Sequence, residues 1–406
     1  MMQLLPILKI LWRSKVGPAL VILQLALTIA ILSNAIFFIN SRIDNVNRPL
    51  GFSAESLATF WAKMDSDTQD MALQIQEDIV HIKSIHDVEQ VAPIKSLPFS
   101  HSGSSSNFHN QHADAGDEGR LNVSAGVIET DHRGLEVLQL ELIAGRNFHP
   151  QEVIYYTREN TPASAQAIIS QSVAERVFPD TSAVGKTLYF SGVIPLTVVG
   201  VVEDFLGYYP RMDFAQSNVI ISVIEKSDSV RYAIRGNSAT IAFLPKAAEE
   251  KLRSLDNNRV VGGAASLEQL IDEHYRPDYA MILLLVVVMA LLVFINMLGI
   301  VGITTFWVNQ RRQQIGIRRA LGATRAAIVE FFILENALLV VASTLLGAVI
   351  AFWASHELVQ RYAFDFLPWH YVPLAGTVVL AIALLAASVP ARRAAQIPPR
   401  EAISSR

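Results

Sequence analysis

Four stretches of this chain are too long and too apolar for the helices of an ordinary soluble core. Val16 to Ser41 and Tyr279 to Asn309 hold no charged residue, Asn336 to Ser355 begins just after Glu335, and Tyr371 to Ala391 stops just before Arg392. Crossing a hydrocarbon layer of ~30 Å takes about 20 mostly apolar residues in a helix. The fold class that follows is a membrane protein with four transmembrane α-helices. The long segment between the first two spans must then fold outside the bilayer.

The residues Asn309 to Ala327 (NQRRQQIGIRRALGATRAA) carry Arg311, Arg312, Arg318, Arg319 and Arg325 and no acid. Lys and Arg in short loops stay on the cytoplasmic side, so this loop orients the chain. It puts the N-terminal segment on the same side, with Lys9, Arg13 and Lys15, and also the tail, with Arg392, Arg393, Arg400 and Arg406 against Glu401. The segment from Asn40 to Asp278 is left across the membrane. It holds 20 Lys and Arg against 32 Asp and Glu, so the net charge of -4 divides into -12 for this segment and +8 for the rest.

Residues 1–15 mix Leu4, Leu5, Leu8, Leu11 and Trp12 with Lys9 and Arg13, the pattern of a helix lying in the membrane interface. A plain cytoplasmic extension is the alternative. A cleaved signal peptide fits less well, because the apolar run exceeds about 7–15 residues and no A-x-A-like site follows it. The chain has no cysteine, so an external domain of this size must hold together by packing rather than disulfides.

In the external segment the hydrophobic period changes often, which predicts mixed α and β structure. Ser56 to Ala62 reads as a strand, Thr68 to Ser84 as a helix with Met71, Ile75, Ile79 and Ile82 on one face, and Val88 to Ile94 as a strand. Near the end, Ala239 to Phe243 reads as extended, Pro245 to Leu255 as helix and Arg259 to Ala265 as extended. Ser266 to Tyr275 is a helix with Ser266 as N-cap and Gln269 three residues on. Two β-α-β units thus form one subdomain, with an inserted, mostly β subdomain at about 96–230.

Two motifs inside the insertion invite functional readings. Ser100 to Gly119 is polar and glycine-containing, which predicts a mobile loop. Its His101, His109, His112, Asp114 and Asp117 are metal-ligand types, but their spacing matches no fixed ligand pattern. Gly185, Lys186 and Thr187 look like the end of a phosphate-binding loop. That motif needs a glycine where Asp180 stands, so a turn is expected.

Several stretches together resemble the FtsX-like permease family, with a MacB-like periplasmic core domain. They are LIAGRNF (Leu142 to Phe148), IISQSVAERVFPDTSAVGKTL (Ile168 to Leu188), LTVVGVVEDF (Leu196 to Phe205), RRQQIGIRRALGATRAAIVEFFILEN (Arg311 to Asn336) and PARRAAQIPPREAI (Pro390 to Ile403). The resemblance implies a dimeric subunit of an ABC transporter in the bacterial inner membrane, with both termini cytoplasmic and the large domain periplasmic. The second permease subunit would be identical or paralogous. ATP-driven motion of a separate ATPase, in two copies, would be relayed along the helices to the external domains. Export or extraction of a hydrophobic, peptide or lipid-like substrate would follow, with a periplasmic adaptor, an outer-membrane channel and membrane lipids as further partners.

ATP and Mg would bind that ATPase, and no cofactor or catalytic residue is expected in this chain, which begins about 15 residues before its first span and shows no nucleotide-binding motif. The competing readings are an FtsX-like scaffold activating a cell-wall hydrolase, and a sensor or membrane enzyme. FtsX has a much smaller external domain, a sensor needs a cytoplasmic output domain, and a hydrolase needs a nucleophile, a base and an orienting acid in a recognisable setting.

The resulting organisation is an interfacial helix at 1–15, spans at 16–41, 279–308 (with a stalk), 328–355 and 371–391, and a periplasmic core domain at 42–278. A cytoplasmic coupling loop lies at 309–327, a short periplasmic loop at 356–370 and a cytoplasmic tail at 392–406. In the loop, Gly316 and Gly322 are read as bracketing a short helix. The ATPase-coupling set is Arg311, Arg312, Ile315, Gly316, Ile317, Arg318, Arg319, Leu321, Gly322 and Arg325, with Ile317 and Leu321 entering a groove on the ATPase. Glu330 and Glu335 are expected to pair with these arginines. A small-residue face at Gly347 and Ala351 and the polar residues Gln24, Thr28, Ser33, Asn34 and Asn296 are expected to join helices.

Overall fold

The computed structural model describes residues 16–63, 71–100, 103–116, 118–256, 259–362 and 365–396. The interfacial helix expected at 1–15, the end of the tail after residue 396, and His101 and Asp117 lie outside them. In chain order the elements are α1 (Val16–Val46), β1 (Leu57–Lys63), α2 (Met71–Lys83), β2 (Val88–Lys95), β3 (Ser104–His109), β4 (Asn122–Thr130), α3 (Gly134–Leu138), β5 (Leu142–Gly145), β6 (Ile154–Tyr156), β7 (Ala165–Ser170) and α4 (Gln171–Val177). There follow β8 (Thr187–Phe190), β9 (Ile194–Val202), β10 (Asn218–Ile221), β11 (Val223–Glu225), β12 (Ser229–Gly236), α5 (Leu244–Leu255), β13 (Val261–Ser266), α6 (Leu267–Gln310), α7 (Arg312–Ala320), α8 (Arg325–Tyr362) and α9 (Tyr371–Ala395). Two compact units result, one from the chain's two ends (Met1–Asp44 with Asp278–Arg406) and one from Asn45–Pro277.

In the membrane unit α1, α6, α8 and α9 are each long and apolar enough to cross a bilayer. Over half of the most apolar window of α1 is buried, against 6% of that of α6, so α1 is enclosed by its neighbours while α6 turns its apolar surface outward. The Gly347–Ala351 face is where α8 meets α1. A β-carbon at position 347 would stand 2.8 Å from the Ala26 carbonyl oxygen, so the approach requires glycine. Asn34 Nδ2 donates to the carbonyls of Ala30 (2.9 Å) and Ala351 (3.3 Å), and Asn296 Nδ2 donates to Thr28 Oγ1 (2.7 Å). Ser33 donates back to Ile29 of its own helix, and Gln24 lies against Gly299. At one end of the unit Arg42 pairs with buried Asp278 at 2.5 Å, and exposed Trp353, Phe366 and Trp369 are suited to the lipid–water boundary.

The other unit is α+β. A sheet in the order β2-β12-β1-β13, antiparallel throughout, carries α2 and α5 on one face over Phe60, Ile79, Tyr232, Ile234 and Leu252. β2 continues into a second sheet, pairing Ile94 with Thr130 and Lys95 with Glu129 of β4. There the order β4-β3-β8-β9-β7-β10 closes on itself through a parallel β10–β4 pairing, giving a six-stranded barrel around Phe108, Val127, Ile169, Val198 and Val219. Closure removes the edge strands of this sheet.

Three expectations need correction. Ser100 to Gly119 is not one mobile loop, because Ser104–His109 forms β3, hydrogen-bonded to β4 and β8. A single large side chain, Phe108, is fully buried there, and backbone pairing on both sides supplies what composition lacked. Ala239 to Phe243 is a turn rather than a strand: Asn237 Oδ1 captures the Ala239 N–H, and Phe243 N–H bonds to the Thr240 carbonyl. The strand that completes the second β-α-β unit is β12, just before it. The helix at Ser266 does not end at Tyr275 but runs as the first part of 44-residue α6. Its start is a capping box, with Gln269 N–H on Ser266 Oγ (3.3 Å) and Ser266 N–H on Gln269 Oε1 (3.1 Å).

Gly185 sits at φ +85° in a turn closed by the Lys186 N–H bond to the Ala183 carbonyl, and Thr187 opens β8. Among the described residues no three His, Cys, Asp or Glu side chains cluster as metal ligands. His112 Nδ1 accepts the Asp114 N–H, while His109 lies beside Arg120, and burial and that charge lower its pKa.

Candidate coupling site

The arginine-rich segment lies within the membrane unit and folds as a helix between two long ones. α6 ends at Gln310, Arg311 leaves helical geometry, and α7 runs from Arg312 to Ala320. Gly316 therefore lies buried inside α7 rather than bracketing it, a placement that costs about 1 kcal/mol relative to Ala in helix propensity. The other end is fixed by Gly322 at φ +97°. The Ala323 N–H reaches the Arg318 carbonyl (3.0 Å) and the Gly322 N–H that of Arg319 (3.1 Å), which is a Schellman stop. Two residues on, Thr324 Oγ1 accepts the Ala327 N–H (3.2 Å) and starts α8. Leu-Gly-Ala-Thr is thus a stop and a start in four residues.

The buried side of α7 is carried by Ile315, which packs with Val308 of α6, Ile328, Phe331 and Phe332 of α8, and Ala391, Ala394 and Ala395 of α9. The arginines divide into separate tasks. Arg311 Nη1 donates to both carboxylate oxygens of Glu335 (2.9 and 3.0 Å), whose side chain is fully buried, and its guanidinium lies 5.7 Å from the Trp307 ring centroid. Arg318 lies 5.1 Å from the Phe331 ring centroid. Arg319 Nη1 donates to the Ala395 carbonyl (3.1 Å) at the last turn of α9, where helix carbonyls otherwise go unpaired. Arg312 and Arg325 are exposed.

Glu330 is exposed and forms no ion pair among the described residues, so only one of the two glutamates expected to pair does so. Ile317 is 47% exposed and Leu321 83% exposed, four residues apart and therefore on one face of α7. Trp307, Phe331, Thr324 and Ala395 were not singled out by sequence. For Trp307 and Thr324 a signal existed, namely the i,i+4 spacing of Trp307 to Arg311 and the Gly-x-Thr order before an apolar run. For Phe331 and Ala395 none did, because they meet α7 only in three dimensions. The whole is a joint in which one ion pair, two cation–π contacts and one carbonyl cap lock four helices and leave an apolar–basic face open.

Four helices fit to cross a membrane, three of them meeting at this joint, with a separate α+β unit between the first and second, define a multi-pass membrane protein with a periplasmic or extracellular domain. The chain belongs to the MacB/FtsX family of ABC transporter permeases: residues 16–254 match the MacB-like periplasmic core domain and residues 286–399 the FtsX-like permease C-terminal domain. Both are permease domains rather than catalytic ones. The chain is 23% identical over 337 residues to the uncharacterized ABC transporter permease YknZ of Bacillus subtilis (strain 168), covering 81% of this chain and 78% of YknZ. It is 24% identical over 294 residues to the macrolide export ATP-binding/permease protein MacB of Chromobacterium violaceum, covering 70% of this chain but only 44% of that protein. Among solved structures, the periplasmic region of MacB from Actinobacillus actinomycetemcomitans aligns at 16% identity and TM-score 0.34, covering 56% of this chain and 97% of that one.

Proposed function

We propose that this permease transmits the ATP-driven motion of a separate cytoplasmic ATPase across the bacterial inner membrane to its periplasmic domain, driving export or extraction of a hydrophobic, peptide or lipid-like substrate. The observation that carries this reading is the joint at Arg311–Glu335, to which α6 leads and beside which Ile317 and Leu321 stand exposed. α6 is a helix of 44 residues with Pro277 inside it where the two units divide, and its part in the membrane unit, residues 278–310, is ~50 Å at 1.5 Å per residue, against a bilayer core of ~30 Å. Its first eleven residues, Leu267–Pro277, belong to the external unit, and its last turn leads straight into α7. Within the membrane unit the Arg311–Glu335 joint ties the end of α6 to α7 and α8, an arrangement suited to pass displacement rather than solute.

In this reading an ATPase docks on exposed Ile317 of α7 and Leu321 just after it, with the exposed Arg312 and Arg325 as further basic contacts, one copy for each of two permease subunits. Both termini lie on the ATPase side. A periplasmic adaptor and an outer-membrane channel are the partners that export would recruit.

Arg319 is committed to Ala395 and Arg318 to Phe331, so reversing their charge perturbs the joint as well as the docking face. The cleaner test is Ile317→Asp with Leu321→Asp, two exposed positions where folding should change by no more than about 0.5 kcal/mol each. The double variant is expected to insert normally and to lose the ATPase that co-purifies with the wild-type chain from native membranes. Full retention of the ATPase would remove α7 as its docking element.

A further inference from the structure

A cavity of about 800 Å³ opens in the external unit where β12 begins. Trp61 of β1 stands directly opposite Arg231 of β12 in the sheet register, and both line the cavity together with Ile94 of β2. The indole is seated by two glycines of β13: a β-carbon at Gly262 would come within 2.9 Å of it, and one at Gly263 within 2.6 Å. Those glycines let Trp61 lie close against β13 while it lines the cavity.

Four of the eight charged residues in the lining answer one another. Lys95 Nζ donates to Glu129 (3.0 Å) and Glu225 (2.8 Å), Arg158 Nε donates to Glu225 (2.6 Å), and the Tyr156 hydroxyl donates to Glu129 (3.0 Å). Arg231 differs. It is half-buried and makes no hydrogen bond or ion pair with any described residue. Burial lowers its pKa more than the neighbouring Tyr208 raises it, so its charge is held partly out of water. A guanidinium in that position is matched by a carboxylate or phosphate through paired N–H donors.

The lining distinguishes these two. Its cations Lys95, Arg158, Lys226 and Arg231 are balanced in number by Glu129, Glu159, Glu225 and Asp228, so one added negative charge is better tolerated than two. We infer that this cavity binds a carboxylate carried on an apolar group, with the carboxylate on Arg231 and the apolar group against the neighbouring Trp61 indole. Such a ligand is either the C-terminal end of a peptide or an acyl-chain acid. The site stands independently of how the permease is coupled to its motor.

The test is isothermal titration calorimetry on the full chain in lipid nanodiscs, with protein-free nanodiscs subtracted, using octanoate, N-acetyl-leucine and octanamide. At least one of the two carboxylates is expected to bind and the amide to fail. Octanoate alone points to an acyl source, N-acetyl-leucine alone to a peptide end, and both to the shared chemistry. Arg231→Gln is expected to weaken binding roughly tenfold or more, the scale of a lost hydrogen bond between charged groups. Arg231→Lys, which keeps the charge and serves if the Gln variant misfolds, should retain the preference for carboxylate over amide. Equal binding of amide and carboxylate, unchanged affinity in folded Arg231→Gln, loss of the carboxylate preference in Arg231→Lys, or no binding of either carboxylate would each overturn the assignment.

Discussion

Glu152 and Asp78 carry the same functional group in the same unit, and burial raises the pKa of both, yet their pKa values move in opposite directions. Glu152 accepts from Arg146 Nη1 (2.8 Å) and Nη2 (2.6 Å) and from the His149 N–H (2.8 Å). The Arg146 hydrogen bond is the main cause that brings its pKa down from 4.5 to about 2. Asp78 lies under the antiparallel sheet, bound by Arg259 and by the Tyr232 hydroxyl (2.7 Å), yet burial outweighs both partners and raises its pKa from 3.8. Linkage then gives opposite signs. Glu152 contributes stability above its unfolded pKa that disappears as pH falls from 4.5 through about 2, whereas the contribution of Asp78 is present at low pH and disappears as pH rises through its raised folded pKa. Glu152→Gln should therefore lower stability most above about pH 5 and least near pH 2, flattening the acid limb between those two values. Thermal unfolding of wild type and variant across pH 2 to 6 checks it, and parallel curves would refute the assignment.

Elements are held by their ends as much as by their faces, and α7 is the clearest instance. Gly322 sits at φ +97° with open space around its missing β-carbon, so a side chain there meets backbone strain and no clash. Gly322→Ala should cost about 1 kcal/mol and raise hydrogen exchange in the last turn of α7, while exchange in α6 stays as it was. Equal exchange in wild type and variant would mean the stop is set elsewhere. The same element shows which parts of the molecule the sequence revealed. Spans were legible because length and absence of charge are local properties, and the capping box at Ser266 because its two partners are three residues apart. β3 was hidden because five of its six residues are polar or small, and only pairing with β4 and β8 makes Ser104–His109 a strand. The arginines of α7 were legible as a charge cluster, but their division of labour was not: Glu335 is 24 residues from Arg311 and Ala395 is 76 from Arg319. Trp61 and Arg231, 170 positions apart, became neighbours only through the β1–β12 register.

At the scale of the whole molecule the charge is sorted by compartment. The Asn40 to Asp278 segment carries 20 basic against 32 acidic residues, and the rest carries 13 against 5. In the membrane unit the basic excess gathers at α7 and the end of α9, where Arg318, Arg319, Arg392 and Arg393 occupy last turns and so face the negative ends of helix dipoles. Arginine in a short loop resists transfer across the bilayer, whereas a large acidic domain crosses largely regardless of its charge. α7 should therefore face the cytoplasm and residues 45–277 the compartment across the membrane. Because the chain contains no cysteine, single thiols can report this directly. Ser105 of β3 and Gln313 of α7 are both exposed, so Ser105→Cys and Gln313→Cys should be accessible without disturbing a core. A membrane-impermeant maleimide is expected to label Ser105→Cys in intact spheroplasts and Gln313→Cys only after permeabilisation. The reverse pattern would place the arginines outside, and with them would fall both the orientation and the docking of an ATPase on Ile317 and Leu321.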